Sequence, residues 1–369
     1  MKILHITEKP RFSGAEILIK DLSLSHIKNH SVAIASINPT ENDFHETMQY
    51  LEKVGVKLYI PSKALSKIKR FTYLYNVLSQ YKPDIVVGHS SIVSAYLRIV
   101  GIFFPKIQKI IVLHAAAADY ESGGRLQKAE YGLQYFTNYV IGVSDWSTNI
   151  YRKRFGYPKS KAIYNGVDFT KFTKDNLQYR DTIRASIFKV TENDFVVLQV
   201  GRVNPVKNQM LTLQSVVNSN IKNKNNIKII FAGIIEDKEY YKSLIKFSEE
   251  YGLSHQITFL GARSDIPKLL YASNLYVMPS ERENFSIAIL EALSIGIPVI
   301  YSNITQFEFL NKYNYKNTYK VDLEDINSFT IAVEDVIKNK KDFIDRNLED
   351  FSFEKCSKEY MDLFKETQK

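Results

Sequence analysis

The sequence predicts an α/β protein with two domains, each built on a doubly wound parallel sheet. Short apolar, β-branched runs alternate with helical patterns, which is typical of parallel sheets with helices on both faces. The first half has KILHIT, VAIASI, VKLYI, IVVGHS, IIVLHA, YVIGVS and KAIYN, and the second half has FVVLQV, IKIIFAG, ITFLG, LYVMPS and PVIYSN. The chain has 369 residues, which is enough for two domains of ordinary size.

A loss of strand character marks the boundary between the two domains. The chain turns polar after the segment NGVD at 165–168 and regains an apolar run only at Phe195. We therefore predict a first domain over residues 1–170 and a second over 171–351. Residues 352–369 have a charged, amphipathic pattern that fits either a helix or a solvated tail.

Composition excludes several classes of protein. The chain is 45% hydrophobic and 24% charged, as globular proteins are, and it has one cysteine, so no intramolecular disulfide framework is expected. The stretch from Ile99 to Leu113 is interrupted by Pro105, Lys106 and Lys109, and it is too short to span a membrane. With no signal peptide recognised, we expect a cytoplasmic protein.

The positive charge is concentrated in the first half of the chain. Residues 1–170 hold 22 Lys and Arg against 13 Asp and Glu, whereas the remainder holds 27 of each. A basic face attracts nucleic acid, anionic lipid or a phosphorylated substrate. No nucleic-acid-binding module accompanies the charge, so nucleic acid is not an expected partner.

The segment from Ser280 to Ile300 is the most informative part of the sequence. It places Glu283 in a loop after an apolar strand and Glu291 on the helix that follows. Ile287, Leu290 and Leu293 are expected to form the core face of this helix, and a Gly-Ile-Pro sequence is expected to end it. Two carboxylates then lie at the carboxyl edge of a parallel sheet, where ligands bind; a salt-bridged acidic loop is the alternative.

A second loop carries positive charge. In FVVLQVGRVNPVK, Gly201, Arg202 and Lys207 follow an apolar strand directly. A guanidinium and an ammonium at the same sheet edge suit a diphosphate. Two solvated surface charges are the alternative.

Together, these two segments resemble the retaining glycosyltransferases of family 4, in which a Gly-Arg loop with a following Lys precedes a loop Glu and a helical Glu. The resemblance covers nearly the whole chain, because KILHITEKPRFSGAE, KPDIVVGHS, VIGVSDWS, AIYNGVD and FAGIIED follow in the expected order. It implies the GT-B fold, with two Rossmann-like domains facing across a cleft. It also implies that the C-terminal helix joins the first domain.

The resemblance implies roles for particular residues of the second domain. Arg202 and Lys207 would stabilise the leaving diphosphate, Glu283 would act at the donor sugar, and Glu291 would bind the two ribose hydroxyls. Asn284, Phe285 and Ser286 would complete the sugar loop, where Asn284 and Ser286 replace glycines that are frequent in the family. Gly201 would lie against the phosphates, and Arg263 would lie near the base.

Fewer residues are implied in the first domain. His114, after the strand KIIVL, aligns with a histidine that lines the donor-sugar site, where we expect it to bond a sugar hydroxyl rather than to remove a proton; a merely structural histidine is the alternative. Gly14 resembles part of a glycine-rich loop near the donor phosphate. A simple strand-to-helix turn explains Gly14 nearly as well. His89 and Ser90 end the strand IVVG and lie either on the acceptor side or in a structural role.

The function implied is transfer of a hexosyl group, with retention of configuration, from a UDP- or GDP-linked sugar to a saccharide acceptor. The nucleotide sugar is a co-substrate, and neither a metal nor another cofactor is expected, because no Asp-X-Asp flanked by strand-like apolar runs occurs. Many members of the family build capsule or O-antigen on lipid-linked acceptors, so peripheral contact with the inner face of the cell membrane is also expected. The alternatives are a catalytically silent GT-B module, and a phosphorylase or epimerase of the same architecture.

Overall fold

The computed structural model describes residues 1–114, 125–221, 226–313, 315–339 and 343–368, with only the backbone for residues 125–127. The chain divides into two compact units. Unit 1 comprises Met1–Gly166 and the C-terminal segment that begins at Phe353, and unit 2 comprises Val167–Ser352. The division between residues 166 and 167 lies close to the boundary predicted near residue 170.

Unit 1 is a parallel sheet with helices on both faces. Its strands are β1 (Lys2–Thr7), β2 (Ser31–Ser36), β3 (Lys57–Tyr59), β4 (Ile85–Gly88), β5 (Gln108–Leu113), β6 (Tyr139–Gly142) and β7 (Ser160–Ala162). Its helices are α1 (Gly14–His26), α2 (His45–Lys53), α3 (Lys67–Tyr81), α4 (Ser91–Val100), α5 (Arg125–Leu133) and α6 (Asp145–Phe155). The strand order is β3-β2-β1-β4-β5-β6-β7, so the direction of winding reverses between β1 and β4.

Alternate residues of the central strands of unit 1 supply two cores. Leu4 and Ile6 of β1 belong to one cluster, which also contains Leu74 of α3 and Leu97 of α4. On β2, Ile34 belongs to a second cluster, together with residues of α1 and α2. Because both faces of the sheet are buried, the sequences of these strands are continuous apolar runs. Each fully buried aliphatic side chain stabilises the folded state by roughly 1.5–3 kcal/mol.

Unit 2 repeats the architecture. Its strands are β8 (Phe195–Val200), β9 (Ile227–Ala232), β10 (Ile257–Phe259), β11 (Leu275–Met278), β12 (Val299–Ser302) and β13 (Thr318–Val321). Its helices are α7 (Arg180–Thr182, continued by a π-helical turn over Ile183–Phe188), α8 (Gln209–Asn218), α9 (Lys238–Glu250), α10 (Ile266–Ala272), α11 (Ile287–Ile295) and α12 (Ile326–Asn339). The strand order is β10-β9-β8-β11-β12-β13, and all pairings are parallel.

The prediction of two doubly wound parallel sheets is therefore confirmed, with one strand added. Strand β13 was not predicted, because the short sequence TYKV has two polar residues and no long apolar run. It lies at the edge of the sheet beside β12, where one neighbour suffices. An edge strand needs less apolar character than a central one, which makes it harder to recognise in a sequence.

The C-terminal segment forms helix α13 (Phe353–Thr367), which packs on α1 of unit 1. The hydroxyls of Ser25 and Ser357 lie 2.8 Å apart, and Ser357 Oγ lies 3.2 Å from His26 Nε2. The rings of His26 and Phe364 meet edge to face, with centroids 5.9 Å apart. Residues 353–367 are thus a packed helix rather than a solvated tail.

Among the helices in the described ranges, none combines the length and apolar character required to cross a bilayer.

Candidate active site

In unit 2, the two predicted site loops start from neighbouring strands. Strands β8 and β11 are adjacent and parallel, and the winding of the sheet reverses between them. Residues 201–208 follow β8, and residues 279–286 follow β11. The carboxyl ends of strands at such a reversal form a crevice in which ligands bind.

The loop after β8 lies close to the loop after β9, and the absence of a side chain at Gly233 permits this approach. Gly201 N–H donates to the carbonyl of Ala232 at 2.9 Å. A Cβ added to Gly233 would lie 2.0 Å from the carbonyl oxygen of Gly201, so a side chain at position 233 would displace the loop. Gly233 is therefore part of the site's framework, although the sequence analysis assigned it no role.

Lys207 and Glu283 form an ion pair that joins the two loops. Asn204 Oδ1 accepts from the backbone N–H of Lys207 at 3.0 Å, which fixes the turn that carries the lysine. Lys207 Nζ contacts Glu283 Oε1, and the two side chains are only 17% and 10% exposed. The backbone N–H of Glu281 donates to the carbonyl of Val206 at 2.9 Å. Glu283 thus pairs with Lys207 of the loop after β8, not with a neighbour in its own loop.

Arg202 is arranged differently from Lys207. Its guanidinium pairs with Glu236, and its side chain is 56% exposed. The same carboxylate accepts from Asn204 Nδ2. Arg202 and Lys207 therefore share a loop but pair with different carboxylates, and Glu236 is a neighbour that sequence reasoning missed, although it stands in the segment FAGIIED.

Helix α11, which carries Glu291, is capped at both ends. Ser286 is the N-cap and accepts from the backbone N–H of Ile289 at 3.4 Å, while Gly296 ends the helix in the left-handed conformation at φ 88°. The core face is formed by Ile289, Leu290, Ala292, Leu293 and Ile295. The assignment of Ile287 to that face was wrong, because it is only partly buried in the first turn.

Burial changes the acid–base properties around Glu291. Burial raises the pKa of the Glu291 carboxyl to about 7, and the positive charge of Lys171 opposes this shift. The Tyr276 hydroxyl on β11 is buried and has no hydrogen-bond partner within the described residues. Burial, and then the charges of Glu291 and Glu283, raise the pKa of Tyr276 well above its usual value. The carboxylates of Glu283 and Glu291 therefore both lie near enough to Tyr276 to raise the pKa of its hydroxyl.

The residues that follow Glu283 in the loop after β11 are anchored by contacts with neighbouring side chains. The ring of Phe285 packs against those of Phe309 and Phe351, with centroids 5.2 and 6.3 Å away. Ser286 is buried, and its hydroxyl lies 3.0 Å from the Met278 sulfur. Asn284 is partly exposed at the bend of the loop. Phe285 and Ser286 thus anchor the loop that carries Glu283.

Arg263 follows β10 and forms two hydrogen bonds with Asp265, at 2.9 and 2.6 Å. Although burial raises the pKa of the Asp265 carboxyl, the hydrogen bonds and charge of Arg263 outweigh it and lower that pKa. The guanidinium of Arg263 is therefore already paired within its own loop.

In unit 1, three histidines from adjacent strands form a hydrogen-bonded row: His5 lies within β1, and His89 and His114 directly follow β4 and β5. His5 Nδ1 lies 3.0 Å from His89 Nε2, and His89 Nδ1 lies 3.0 Å from His114 Nε2. His5 and His89 are fully buried, and His114 is partly exposed. His114 and His89 could be picked out from the sequence as candidates, whereas His5 could not, because its only signal is a polar residue inside the apolar run KILHIT.

The first loop of unit 1 contains Gly14 as the first residue of α1. Beside it, the Glu16 carboxylate accepts hydrogen bonds from Thr7 at 2.5 Å and from Ser13. Ser90 is the N-cap of α4 and accepts from the backbone N–H of Val93 at 3.1 Å, which is a structural role. Within the described residues, no group of three or more His, Cys, Asp and Glu side chains is arranged as a metal site.

Two protein-family models match the sequence of the chain. The one described as "Glycosyltransferase Family 4" matches residues 12–171, and the one described as "Glycosyl transferases group 1" matches residues 180–349. Their boundaries correspond closely to the two units.

Two curated relatives match nearly the full length. An Escherichia coli UDP-Gal:alpha-D-GlcNAc-diphosphoundecaprenol alpha-1,3-galactosyltransferase is 26% identical over 355 residues, which is 92% of this chain and 89% of the relative. The Staphylococcus aureus capsular polysaccharide biosynthesis glycosyltransferase CapH is 23% identical, with 95% and 96% covered.

The fold also matches solved structures. Anabaena Alr3699/HepE in complex with UDP and glucose superimposes with a TM-score of 0.83 at 18% identity, covering 99% of this chain and all of that one. WaaG, a glycosyltransferase involved in lipopolysaccharide biosynthesis, superimposes with a TM-score of 0.66 at 14% identity, covering 98% and 95%. These likenesses bear out the GT-B fold implied by the sequence. With both halves matched in order and each parallel sheet observed, the chain belongs to the glycosyltransferases of family 4.

Proposed function

We propose that this chain transfers a hexosyl group from a nucleotide sugar to a lipid-linked saccharide, with retention of configuration and without a metal ion, in the synthesis of a bacterial surface polysaccharide. The observation that carries the proposal is the Lys207–Glu283 ion pair at the reversal point of the second sheet. An ammonium and a carboxylate held together there suit a reaction that places negative charge on a leaving phosphate beside positive charge on a sugar carbon.

The diphosphate is assigned to the loop after β8. Lys207 Nζ stabilises the leaving phosphate as a point charge, and its pairing with Glu283 fixes its position before the substrate arrives. Arg202 is more exposed and exchanges part of its contact with Glu236 for a phosphate oxygen. These two cations take the part that a divalent ion plays in other transferases, and this is the basis for proposing a metal-independent reaction.

The ribose is assigned to Glu291. Two hydroxyls on one ring need an acceptor with two oxygens on a rigid element, and α11 provides it. The carboxyl must be ionised to accept both bonds, although its pKa of about 7 leaves it half protonated at neutral pH without ligand. Donor binding and loss of this proton are therefore coupled.

Retention follows from the single carboxylate proposed at the sugar. Glu283 orients the donor sugar and favours positive charge at the anomeric carbon. The acceptor oxygen then bonds to that carbon on the side from which the diphosphate leaves, the bond to the phosphate oxygen breaks, and the departing phosphate takes the acceptor's proton. A covalent intermediate on Glu283 is the alternative route, and it also gives retention.

The relatives direct the choice of substrates to test. The E. coli relative is named for UDP-Gal and for an acceptor with GlcNAc diphosphate on undecaprenol, and the superimposed Anabaena structure contains UDP and glucose. We therefore propose UDP-linked hexoses as first donors and a diphosphate-linked lipid saccharide as acceptor. Such an acceptor resides in a membrane, so the enzyme must reach the membrane surface.

We also propose a membrane-contacting face on unit 1, formed by α3 and the turn after α4. Ile68 is 79% exposed and Phe103 is 71% exposed. The ring of Tyr75 lies 6.0 Å from that of Phe103. A shallow apolar pocket of about 250 Å³ lies in this face. Basic residues stand just before and in the first turns of α3: Lys63, Lys67 and Lys69 are exposed, and Arg70 is partly buried and donates to the carbonyl of Leu65.

The sequence of α3 places Phe71, Tyr73, Leu74 and Tyr75 beside these basic residues, but not all four belong to the surface. Leu74 is fully buried in the core, and Phe71 and Tyr73 are partly buried. The exposed apolar groups come from Ile68, Tyr75, Ile102 and Phe103. Exposed rings and aliphatic groups among cations suit an anionic lipid surface.

A transfer assay tests the proposed function. Purified protein is incubated with UDP- and GDP-linked radiolabelled hexoses and a GlcNAc-diphosphate lipid in EDTA, and labelled lipid is measured. We expect transfer from a UDP-hexose, a loss of about 100-fold or more in Glu283→Gln, and little change in the matched loop variant Glu281→Gln, whose side chain is exposed. Nucleotide binding without transfer to any acceptor would instead support a catalytically silent module.

A further inference from the structure

The row of three histidines in unit 1 connects a buried end to a partly exposed end. The two ring-to-ring contacts join nitrogen to nitrogen at 3.0 Å, which is the distance of N–H···N hydrogen bonds. At the buried end, His5 Nε2 has no partner among the described residues. At the other end, His114 is partly exposed, and among the described residues its hydrogen-bond partner is His89, through His114 Nε2.

The three rings are neutral, so the row has a direction. Burial lowers the pKa of His5 to about 3 and of His114 to about 4, and burial with the two neighbouring histidines lowers the pKa of His89 well below its usual value. A neutral imidazole has one N–H and one acceptor nitrogen. His89 must therefore donate at one nitrogen and accept at the other, and both bonds of the row point the same way.

The buried end decides between the two directions. If the protons point toward His5, then His5 Nε2 carries an N–H that is buried without an acceptor. If they point toward His114, then His5 Nε2 is a buried lone pair without a donor. Among buried backbone groups, orphaned N–H donors are rarer than under-satisfied carbonyl acceptors, and applying the same preference to His5 favours the second direction. In that direction, His5 Nδ1–H donates to His89 and His89 Nδ1–H donates to His114.

We infer that His89 is a positioning residue, with His5 as its buried anchor, and that together they hold His114 as an Nδ1–H tautomer. In this state, the free nitrogen of His114 donates a hydrogen bond and accepts none. His114 is then suited to a sugar hydroxyl oxygen and unsuited to removing a proton from the acceptor. The assignment of a sugar hydroxyl as the ligand of His114 rests on the proposed function, whereas the Nδ1–H tautomer of His114 does not.

Nuclear magnetic resonance tests the tautomer without turnover. Long-range ¹H–¹⁵N correlations of ¹⁵N-histidine-labelled protein at pH 7.5 distinguish protonated from unprotonated ring nitrogens. We expect the N–H of His114 on Nδ1 and a nitrogen–nitrogen coupling from His89 Nδ1 to His114 Nε2. A proton on His114 Nε2, or a doubly protonated ring, would overturn the inference whether or not the protein transfers sugar.

A substitution of His89 tests its positioning role. Gln in place of His89 can present either an oxygen or an NH₂ group, so it keeps a hydrogen bond but no longer sets its direction. We expect His89→Gln to populate both tautomers of His114 and to lower kcat/KM for the nucleotide sugar about tenfold, while the affinity for UDP alone is unchanged. The exposed His255→Gln is the control. A single Nδ1–H tautomer in His89→Gln would exclude a positioning role for His89.

Discussion

Donor binding should release a proton from Glu291. In the protein without ligand, burial raises the pKa of this carboxyl to about 7. We have proposed that the ribose hydroxyls bind only to its ionised form. The affinity for the donor should therefore rise with pH across the neutral range.

The size of the effect follows from the pKa. With a pKa of about 7, roughly a tenth of the Glu291 carboxyls are ionised at pH 6 and roughly nine tenths at pH 8. If only the ionised form binds, the dissociation constant falls about tenfold between these pH values, which is about 1.4 kcal/mol. Glu291→Gln cannot ionise, so it should bind the donor more weakly at pH 8 and with little pH dependence.

The same carboxyl should lower the stability of the ligand-free protein at high pH. Its pKa rises from 4.5 in a free side chain to about 7 in the fold. Between these values the folded state holds more protons than the unfolded state, so stability falls as the pH rises through this window. A pKa shift of this size corresponds to about 3 kcal/mol of unfolding free energy. Because the Glu291 side chain is partly exposed, the actual loss should be smaller. Glu291→Gln should therefore raise the melting temperature at pH 8 while it weakens donor binding.

Isothermal titration calorimetry measures this linkage directly. The ligand should be an intact nucleoside diphosphate sugar. Its diphosphate is esterified at both ends and does not titrate between pH 6 and 8. Titrations in two buffers with different ionisation enthalpies give the number of protons released. A dissociation constant that is constant with pH, or one that varies equally in Glu291→Gln, would refute the assignment of Glu291 to the ribose.

Two further predictions concern the diphosphate and the membrane. Lys207→Ala should lower kcat/KM roughly 100-fold, and the more exposed Arg202 should matter less, so Arg202→Ala should cost roughly tenfold. The exposed Lys246→Ala on α9 is the control, and wild-type turnover in both site variants would exclude the phosphate assignment. Wild-type protein should co-sediment with anionic vesicles at low salt and dissociate in high salt, because each basic residue near the surface contributes about 1 kcal/mol. Phe103→Ser combined with Ile68→Ser should weaken this binding, whereas Ile331→Ser, at an equally exposed position of unit 2, should not; equal loss in both would argue against the proposed face.

Much of the fold was readable from the sequence, because buried parallel strands leave a strong signal. Apolar runs such as FVVLQV and LYVMPS predicted strands β8 and β11 within one or two residues. The glycine at the end of α11 marked its C-terminus. Strand β13 escaped because an edge strand needs few apolar residues, and Ile287 was misassigned because periodicity alone does not fix which side of a first turn is covered.

The contacts within the candidate site were less readable. Lys207 and Glu283 are 76 residues apart, and they meet only because β8 and β11 are neighbours in the sheet. The sequence locates both loops at the ends of strands but does not state the strand order. The pairing of Arg202 with Glu236 and the row that begins at His5 depend on the same order. Such contacts follow from topology, which local patterns do not encode.

The stereochemistry of transfer is the most direct test of the proposed chemistry. Nuclear magnetic resonance of the first-formed product, recorded before any spontaneous equilibration, gives the anomeric coupling of the transferred sugar. The product should have the configuration of the donor, since Glu283 is the one carboxylate proposed at the sugar and no separate base is assigned to the acceptor. The opposite configuration would contradict retention and the role given to Glu283.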